Sequence, residues 1–322
     1  MSTSSAPGSS SFTARDWSLL LGAGVMWGSS YLLIKIGLEG FAPETVAWLR
    51  LLFGVATLTM LPGARRGLQH RHDWWLVAVL GLVWMAVPFV LFPIAQQHID
   101  SALAGMVNGA APLFTALIAV LWFRNRPTTQ VTAGLLVGFL GVVAIAVPSV
   151  TGRATLLGIL LVLAATVFFG VAFNLSGPLQ GRNGALSVIW RAELVALAAT
   201  TPTGVYGLTD STPTWASLAA MVALGALCTG VAFYFFVTLV GRVGATRASV
   251  TVYLGPVVAI ALGALLAGER VHPVALGGAA LVLLGAYLTS RGTRARSRPL
   301  AQDGVRLLGT SRARTDRSST AS

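Results

Sequence analysis

Long apolar segments alternate with short polar connectors along most of the chain. A transmembrane helix needs about 20 mostly apolar residues to cross the hydrocarbon core, and lipid favours helices because they satisfy their backbone polar groups internally. Ten segments have this character: 17–38, 44–61, 74–94, 102–123, 131–148, 154–176, 186–207, 216–240, 247–267 and 273–290. The pattern therefore predicts an all-α integral membrane protein with ten transmembrane helices.

Composition argues against a water-soluble fold. Hydrophobic residues make up 55% of the 322 positions and charged residues 10%, whereas roughly 25% of residues are charged in an ordinary soluble domain. The charges lie mainly in the two tails and in connectors too short to hold a soluble domain. We therefore expect membrane lipid around the protein and no enzyme domain outside the membrane.

The arginines of the connectors predict the orientation, because cytoplasmic loops retain positive charge during insertion. With the N-terminus inside, the cytoplasmic connectors carry Arg65, Arg66, Arg71, Arg124, Arg126, Arg182, Arg242 and Arg247, and the outer connectors carry Arg153 and Arg270. Ten spans also place the arginine-rich C-terminal end inside. Both termini are therefore predicted to be cytoplasmic.

The two ends, residues 1–15 and 291–322, are predicted to be disordered tails. The first is rich in Ser, and the second sets its arginines among Ser, Thr and Gly, a composition that cannot bury a core. We expect the basic tail to lie near anionic lipid headgroups. Nucleic acid is not an expected partner, because a tethered tail without a folded reader has no base specificity.

The two halves of the membrane region repeat weakly. A shift of 144 positions aligns Phe89 with Phe233, Phe92 with Phe236 and Pro112 with Pro256, and a slightly smaller shift aligns Arg50 with Arg191. Proline and arginine are rare inside the spans of this chain, so their alignment carries the most weight. Five spans per half is an odd number, so the second half must enter the membrane inverted. Residues 16–148 and 149–290 are thus predicted to be two inverted five-helix repeats that share a central site.

These motifs resemble a known family. The run Trp27-Gly28-Ser29-Ser30, the mid-span Arg50, the two prolines and the sequence Gly268-Glu269-Arg270 are similar to the two EamA domains of the drug/metabolite transporter superfamily, over residues 17–290. The resemblance implies a transporter in the bacterial cytoplasmic (inner) membrane. One departure is that the first half has Asn125 where the second half has Glu269.

Two arginines inside spans are candidate solute ligands. An unpaired cation in the membrane costs about 3 kcal/mol or more, so Arg50 and Arg191 need a compensating partner. They could line a polar cavity and bind a carboxylate bidentately. Alternatively, they could bind backbone carbonyls near helix ends or extend to the headgroups.

Other deep polar and aromatic residues complete the predicted binding site. Trp27 and Tyr31 lie one helical turn apart, and Phe169 is the counterpart of Trp27, so these rings could form a pocket wall or ordinary core. Two deep amides, Asn108 and Asn174, could bind solute or join helices. The predicted substrate-binding residues are Trp27, Tyr31, Arg50, Asn108, Phe169, Asn174 and Arg191.

One carboxylate and two prolines have separate predicted roles. Glu193, deep in a span, could exchange protons during transport or pair structurally with another helix. Pro112 and Pro256 each remove a helical hydrogen bond, and interrupted helices at matching positions indicate a midplane site; a packing kink is the alternative. Lys35 is expected to extend to the headgroups.

The sequence lacks signs of other chemistry. Lys35 is the only lysine, so there is no phosphate-binding Gly-Lys-Ser/Thr loop, and the four histidines form no zinc motif. We predict no catalytic residue, metal or cofactor, and a secondary transporter that exports an amino-acid-like or drug-like metabolite by alternating access. An intramembrane enzyme or a non-transporting sensor is the alternative. Solute, coupling ion, and monomer or homodimer stay open.

Overall fold

The computed structural model describes residues 12–123, 127–149 and 153–289, which are helical with connecting turns and contain no strand. The long helices are α1 (Ala14–Leu38), α2 (Pro43–Thr59), α3 (Asp73–Gln96), α4 (Ser101–Trp122), α5 (Thr129–Ser149), α6 (Arg153–Asn183), α7 (Ala185–Tyr206), α8 (Trp215–Val243), α9 (Thr251–Leu266) and α10 (Pro273–Thr289). Six of them, α1, α3, α4, α5, α6 and α8, are long and apolar enough to cross a membrane, and α9 and α10 are shorter apolar helices. The all-helical prediction is confirmed.

Helix ends fall within a few residues of the predicted spans, with two clear differences. Helix α6 continues to Asn183, beyond the predicted end at 176. Helix α1 begins at Ala14 because Thr13 and Asp16 form a capping box, in which each side chain accepts a hydrogen bond from the other's backbone N–H. Residues 14 and 15 therefore belong to α1, and the rest of the predicted N-terminal tail up to residue 11, the connector residues 124–126, and the tail 291–322 lie outside the described residues.

The connections after α1, α3, α7 and α9 lie together at one end of the bundle, which we call the first face. The α1–α2 and α7–α8 connections meet where Thr212 N–H donates to Gly40 O. The end of α1 meets the α9–α10 connection where Lys35 contacts Glu269. At the other end, the second face, Asp16 at the start of α1 pairs with Arg242 at the end of α8.

Helices α2 and α7 pack against each other in antiparallel directions. Trp48 Nε1 donates to Thr201 Oγ1 at 3.1 Å, and Trp190 Nε1 donates to Thr59 Oγ1 at 2.8 Å. The two tryptophans are 142 positions apart, and so are the two threonines. The same hydrogen bond is therefore made twice, in opposite directions across the α2–α7 contact.

Helices α3 and α8 contain matching irregularities. A π-helical segment, in which the hydrogen bonds span five residues, covers Leu82–Ala86 in α3 and Ala223–Val231 in α8. Gly81, just before the segment in α3, lies against the carbonyl oxygen of Ala192 in α7. Gly225, within the segment in α8, lies against the carbonyl oxygen of Arg50 in α2. The missing side chains allow α3 and α8 to approach the α2–α7 pair closely.

Glycines also allow close packing elsewhere. On α1, Gly24 and Gly28 lie against Leu254 and Val258 of α9. The first half's last helix, α5, runs antiparallel to α10 along a seam that joins Gly134 to Gly285 and Gly141 to Gly278. No side chain separates the two helices at these points, so backbone meets backbone.

The two prolines differ in what they do. Helix α4 is interrupted at Gly109 and Ala110, directly before Pro112, as predicted. The prediction that Pro256 breaks its helix is wrong, because α9 continues through it. Its ring packs against Gly109, where an added methyl group would lie 2.9 Å from Pro256 Cγ, and the loss of one hydrogen bond to Val252 is tolerated within this packed contact.

Lys35 does not simply extend to the headgroups; its Nζ lies 2.8 Å from Glu269 Oε1. Gly268, with φ at +63°, turns the chain so that Glu269 folds back onto the start of α4. There the carboxylate accepts hydrogen bonds from Ser101 N, Ser101 Oγ and Ala102 N. Burial alone would raise the pKa of Glu269, but Lys35 and these donors outweigh it and hold the pKa below its usual value.

Replacing Glu269 with glutamine is expected to destabilise the protein by about 2 kcal/mol at neutral pH, because a carboxylate bound by several donors is lost. A lowered pKa stabilises the fold above the ordinary carboxyl range, and the contribution is lost as the pH falls through the folded-state pKa. Unfolding of both proteins in detergent should therefore show a smaller difference at about pH 3 than at neutral pH. An equal difference at both values would contradict the assignment.

Candidate functional site

A cavity of about 150 Å³ lies between the two halves of the chain. Its walls come from α1, α2, α3 and α4 of the first half and from α6, α8 and α9 of the second. The lining residues are Trp27, Ser30, Tyr31, Ile34, Arg50, Trp84, Phe89, Phe92, Asn108, Ala111, Phe169, Phe173, Phe233, Phe236, Val252, Gly255 and Pro256. Five of the predicted binding residues, Trp27, Tyr31, Arg50, Asn108 and Phe169, are thus brought together.

The walls are mainly aromatic. Trp84 packs edge-on against Phe173 and Phe233, with ring centroids 5.8 and 5.5 Å apart. Trp27 contacts Phe233 and Phe236 at 5.9 and 5.1 Å. Such rings hold one another in fixed orientations, so they form a preformed apolar surface for a solute.

Arg50 is the cation in this wall and is 8% exposed. Its Nε donates to Thr229 Oγ1 at 3.0 Å, and its guanidinium carbon lies 3.7 Å from the centre of the Phe89 ring. Within the described part of the chain, its Nη1 and Nη2 atoms have no hydrogen-bond partner. The lining residues include no carboxylate, so this guanidinium can accept an anionic group of a solute.

Asn108 and Tyr31 form a second polar group in the wall. Asn108 Nδ2 donates to Tyr31 Oη at 2.6 Å, which leaves the buried Asn108 Oδ1 without a partner among the described residues. Val252 also lines the cavity, and Pro256 has no N–H to donate to the Val252 carbonyl, which therefore lacks its regular helical donor. The Asn108 oxygen is thus the acceptor that is available to a solute N–H group.

Glu193 does not line the cavity but lies against Gly54, one helical turn after Arg50 on α2. It is 0% exposed, and neither carboxyl oxygen has a partner among the described residues. Arg191, two positions earlier, lies on a different side of α7, as expected for this spacing. Glu193 interacts electrostatically with Arg50, without an ion pair within 4.0 Å among the described groups.

Two predicted binding residues lie away from the cavity. Asn174 Nδ2 donates to Thr115 O and to Gly170 O, at 3.0 and 2.8 Å, and so joins α6 to α4. Arg191 Nη1 donates to Ser187 Oγ at 2.7 Å and to Ala64 O at 3.2 Å. These contacts match the alternatives of interhelical hydrogen bonding for the amide and of carbonyl binding for the arginine.

The sequence analysis did not assign most residues of the aromatic wall to the binding site. Phe89, Phe92, Phe233 and Phe236 had a detectable signal, because the two pairs align across the repeat and lie on helices α3 and α8. Trp84 and Phe173 had none, since an aromatic residue in an apolar span is ordinary core composition. Depth and direction around the helix decide which rings reach the cavity.

A second cavity, of about 760 Å³, opens at the first face between the α3–α4 and α9–α10 connections. It has a polar rim that includes His98, Asp100, Arg270 and His272. Leu103 and Met106 of α4 line it, while Asn108 on the same helix lines the aromatic cavity. In the described ranges, no group of three His, Cys, Asp or Glu side chains is placed to hold a metal ion.

Comparison with known proteins identifies the family of this chain. The sequence matches the EamA-like transporter family twice, over residues 17–147 and 156–291. It is 30% identical to a "Probable terminal-alkyne amino-acid exporter" of Streptantibioticus cattleyicolor, over 90% of this chain and 98% of that protein. A "Probable amino-acid metabolite efflux pump" of Escherichia coli is 27% identical, over 88% of this chain and 97% of its own length.

Two further comparisons concern a membrane transporter and a solved structure. An "Uncharacterized inner membrane transporter" of Escherichia coli is 27% identical over 82% of this chain and 89% of its own. A protein of known crystal structure, 19% identical, shares the fold with a TM-score of 0.62 over 87% of this chain and 98% of that one. Two matched segments cover most of the chain, and this protein therefore belongs to the EamA-like transporter family of multi-pass membrane proteins.

Proposed function

We propose that this protein is a secondary transporter that exports a small amino-acid-like metabolite through the aromatic cavity. The observation that carries the proposal is the Arg50 guanidinium, which borders the cavity and has two nitrogen atoms without a hydrogen-bond partner among the described residues. A guanidinium binds a carboxylate bidentately. The acceptor Asn108 Oδ1 then suits an ammonium group, and the aromatic wall suits an apolar side chain.

The size of the cavity favours a small solute over a bulky drug. A cavity of about 150 Å³ accommodates a body the size of benzene. The relatives named for amino-acid export support the same solute class. We assign solute contacts to Trp27, Tyr31, Arg50, Asn108 and Phe169, and none to Asn174 or Arg191.

Alternating access would follow from ten transmembrane helices in two inverted repeats, residues 16–148 and 149–290. A two-fold axis in the membrane plane makes equivalent helices antiparallel, which is how α2 lies on α7 and α5 on α10. The doubled Trp–Thr hydrogen bond supports this symmetry, since both of its partners are displaced by 142 positions. With both termini in the cytoplasm, the first face would be the outer face.

Solute binding is testable by thermal stabilisation of the purified protein, because a ligand of the native state raises the melting temperature. We expect L-leucine or L-phenylalanine to stabilise the protein and L-leucinamide, which lacks the carboxylate, to have no effect. Stabilisation by the amide and the acid alike would remove the carboxylate from recognition. Efflux of the labelled amino acid from cells or proteoliposomes then tests transport.

We assign proton coupling to Glu193 on α7. Its carboxyl group is buried, and neither oxygen has a hydrogen-bond partner among the described residues. Transport into proteoliposomes is expected to depend on an imposed pH gradient in the wild type and to lose that dependence in Glu193→Gln. The solute gradient alone serves as the control in both proteins. Equal dependence on the pH gradient would remove Glu193 from coupling.

A further inference from the structure

Glu193 is a buried carboxyl group close to α2, the helix that carries Arg50. It lies on α7 against Gly54 of α2 and is completely buried. A buried carboxyl group without hydrogen bonds is costly. Its position is therefore more easily explained if it has a partner in another state of the transporter.

Gly54 creates the space that joins the two groups. It lies one helical turn after Arg50 on α2, and a methyl group there would be 3.1 Å from Glu193 Oε1 and 3.1 Å from Thr229 Cγ2. Because glycine has no side chain, Glu193 and Thr229 both reach the surface of α2 beside Arg50.

Thr229 holds the guanidinium in its present position. Its Oγ1 accepts the hydrogen bond from Arg50 Nε and donates to Leu224 O at 3.1 Å, five residues earlier in the π-helical segment of α8. The widened helix thus presents the hydroxyl to Nε, and both Nη atoms have no hydrogen-bond partner among the described residues. Thr229 acts through Arg50 and is a positioning residue.

We propose that Glu193 is the alternate partner of Arg50, so that the solute carboxylate and the Glu193 carboxylate compete for one guanidinium while Thr229 favours the solute. This inference rests on the proposed function. When the solute leaves, pairing with Glu193 offsets the cost of a bare buried cation. Without this competitor the solute binds more tightly and dissociates more slowly.

The test is equilibrium binding and turnover of three probes, L-leucine, L-phenylalanine and 4-methylpentanoate, by calorimetry and proteoliposome flux. We expect Glu193→Gln to lower the Kd of the probes about tenfold, a typical size for coupling between two groups that compete for one guanidinium. The same variant should reduce turnover. The control Glu193→Asp keeps the charge and should bind close to wild type. A folded Glu193→Gln protein with unchanged or weaker affinity would overturn the proposal.

Two variants of Thr229 give an independent readout. Thr229→Val removes the acceptor for Arg50 Nε and should weaken probe binding in the wild-type background but not in Glu193→Gln, while Thr229→Ser should bind like wild type. If Glu193→Gln does not fold, equal affinities of the Val and Ser variants would overturn the proposal.

The outcomes also separate this inference from the proposed function. If none of the three probes binds the wild type, the proposed solute class fails and the inference fails with it. If Arg50→Gln abolishes binding but Glu193→Gln does not tighten it, the solute site stands and the competition is wrong.

Discussion

Replacing Arg50 with glutamine is expected to abolish solute binding and export. Truncating one partner of a buried charged pair costs about 2–5 kcal/mol, which corresponds to a Kd at least about 30-fold weaker. Arg50→Lys keeps the charge but lacks the planar fork that binds a carboxylate bidentately, so we expect intermediate affinity. Both variants are measured by calorimetry with L-leucine and L-phenylalanine after size-exclusion chromatography and thermal unfolding verify that they are folded.

Arg191 supplies a matched control, because it is the counterpart of Arg50 in the second half. Its guanidinium binds Ser187 and Ala64 at the second face rather than the cavity. Arg191→Gln should therefore lower the melting temperature and leave the Kd close to wild type. Similar losses of affinity in the Arg50 and Arg191 variants would mean that the cavity cation has no special role.

This comparison shows where sequence reasoning succeeds and where it ends. Hydropathy and length are enough to predict an all-helical membrane fold, because lipid excludes most alternatives. The alignment of Arg50 in the first half with Arg191 in the second half was also visible in the sequence. Their different partners were not, since these depend on which loop carbonyls each helix end meets, and Ala64 O is available to Arg191 through the short helix Pro62–Arg65.

The prolines give a second example of this limit. A proline predicts a missing hydrogen bond, but whether a helix stops depends on what packs beside it. Helix α4 is interrupted beside Gly109, which is itself pressed against the ring of Pro256. The interrupted part of α4 is thus packed against α9, which continues through Pro256. Only the tertiary structure shows which of the two prolines lies beside a helix break.

Replacing Gly285 with alanine is expected to be the most destabilising small substitution in the α5–α10 seam. An added methyl group would lie under 3.0 Å from three backbone atoms of α5, in Gly134 and Gly138. Backbone atoms cannot rotate away as a flexible side chain can, so the two helices must separate. We expect a loss of about 3 kcal/mol or more, at the upper end for overpacked positions, and little folded protein from Gly285→Leu.

Gly277 is the control on the same helix, because a methyl group there would meet no other heavy atom within 4 Å. Gly277→Ala should be neutral or slightly stabilising, since alanine favours a helix more than glycine does. Thermal unfolding of both variants in one detergent measures the difference. Because neither glycine lines the aromatic cavity, any folded Gly285→Ala protein should bind L-leucine with the wild-type Kd, and a changed Kd would mean that the seam moves during solute binding.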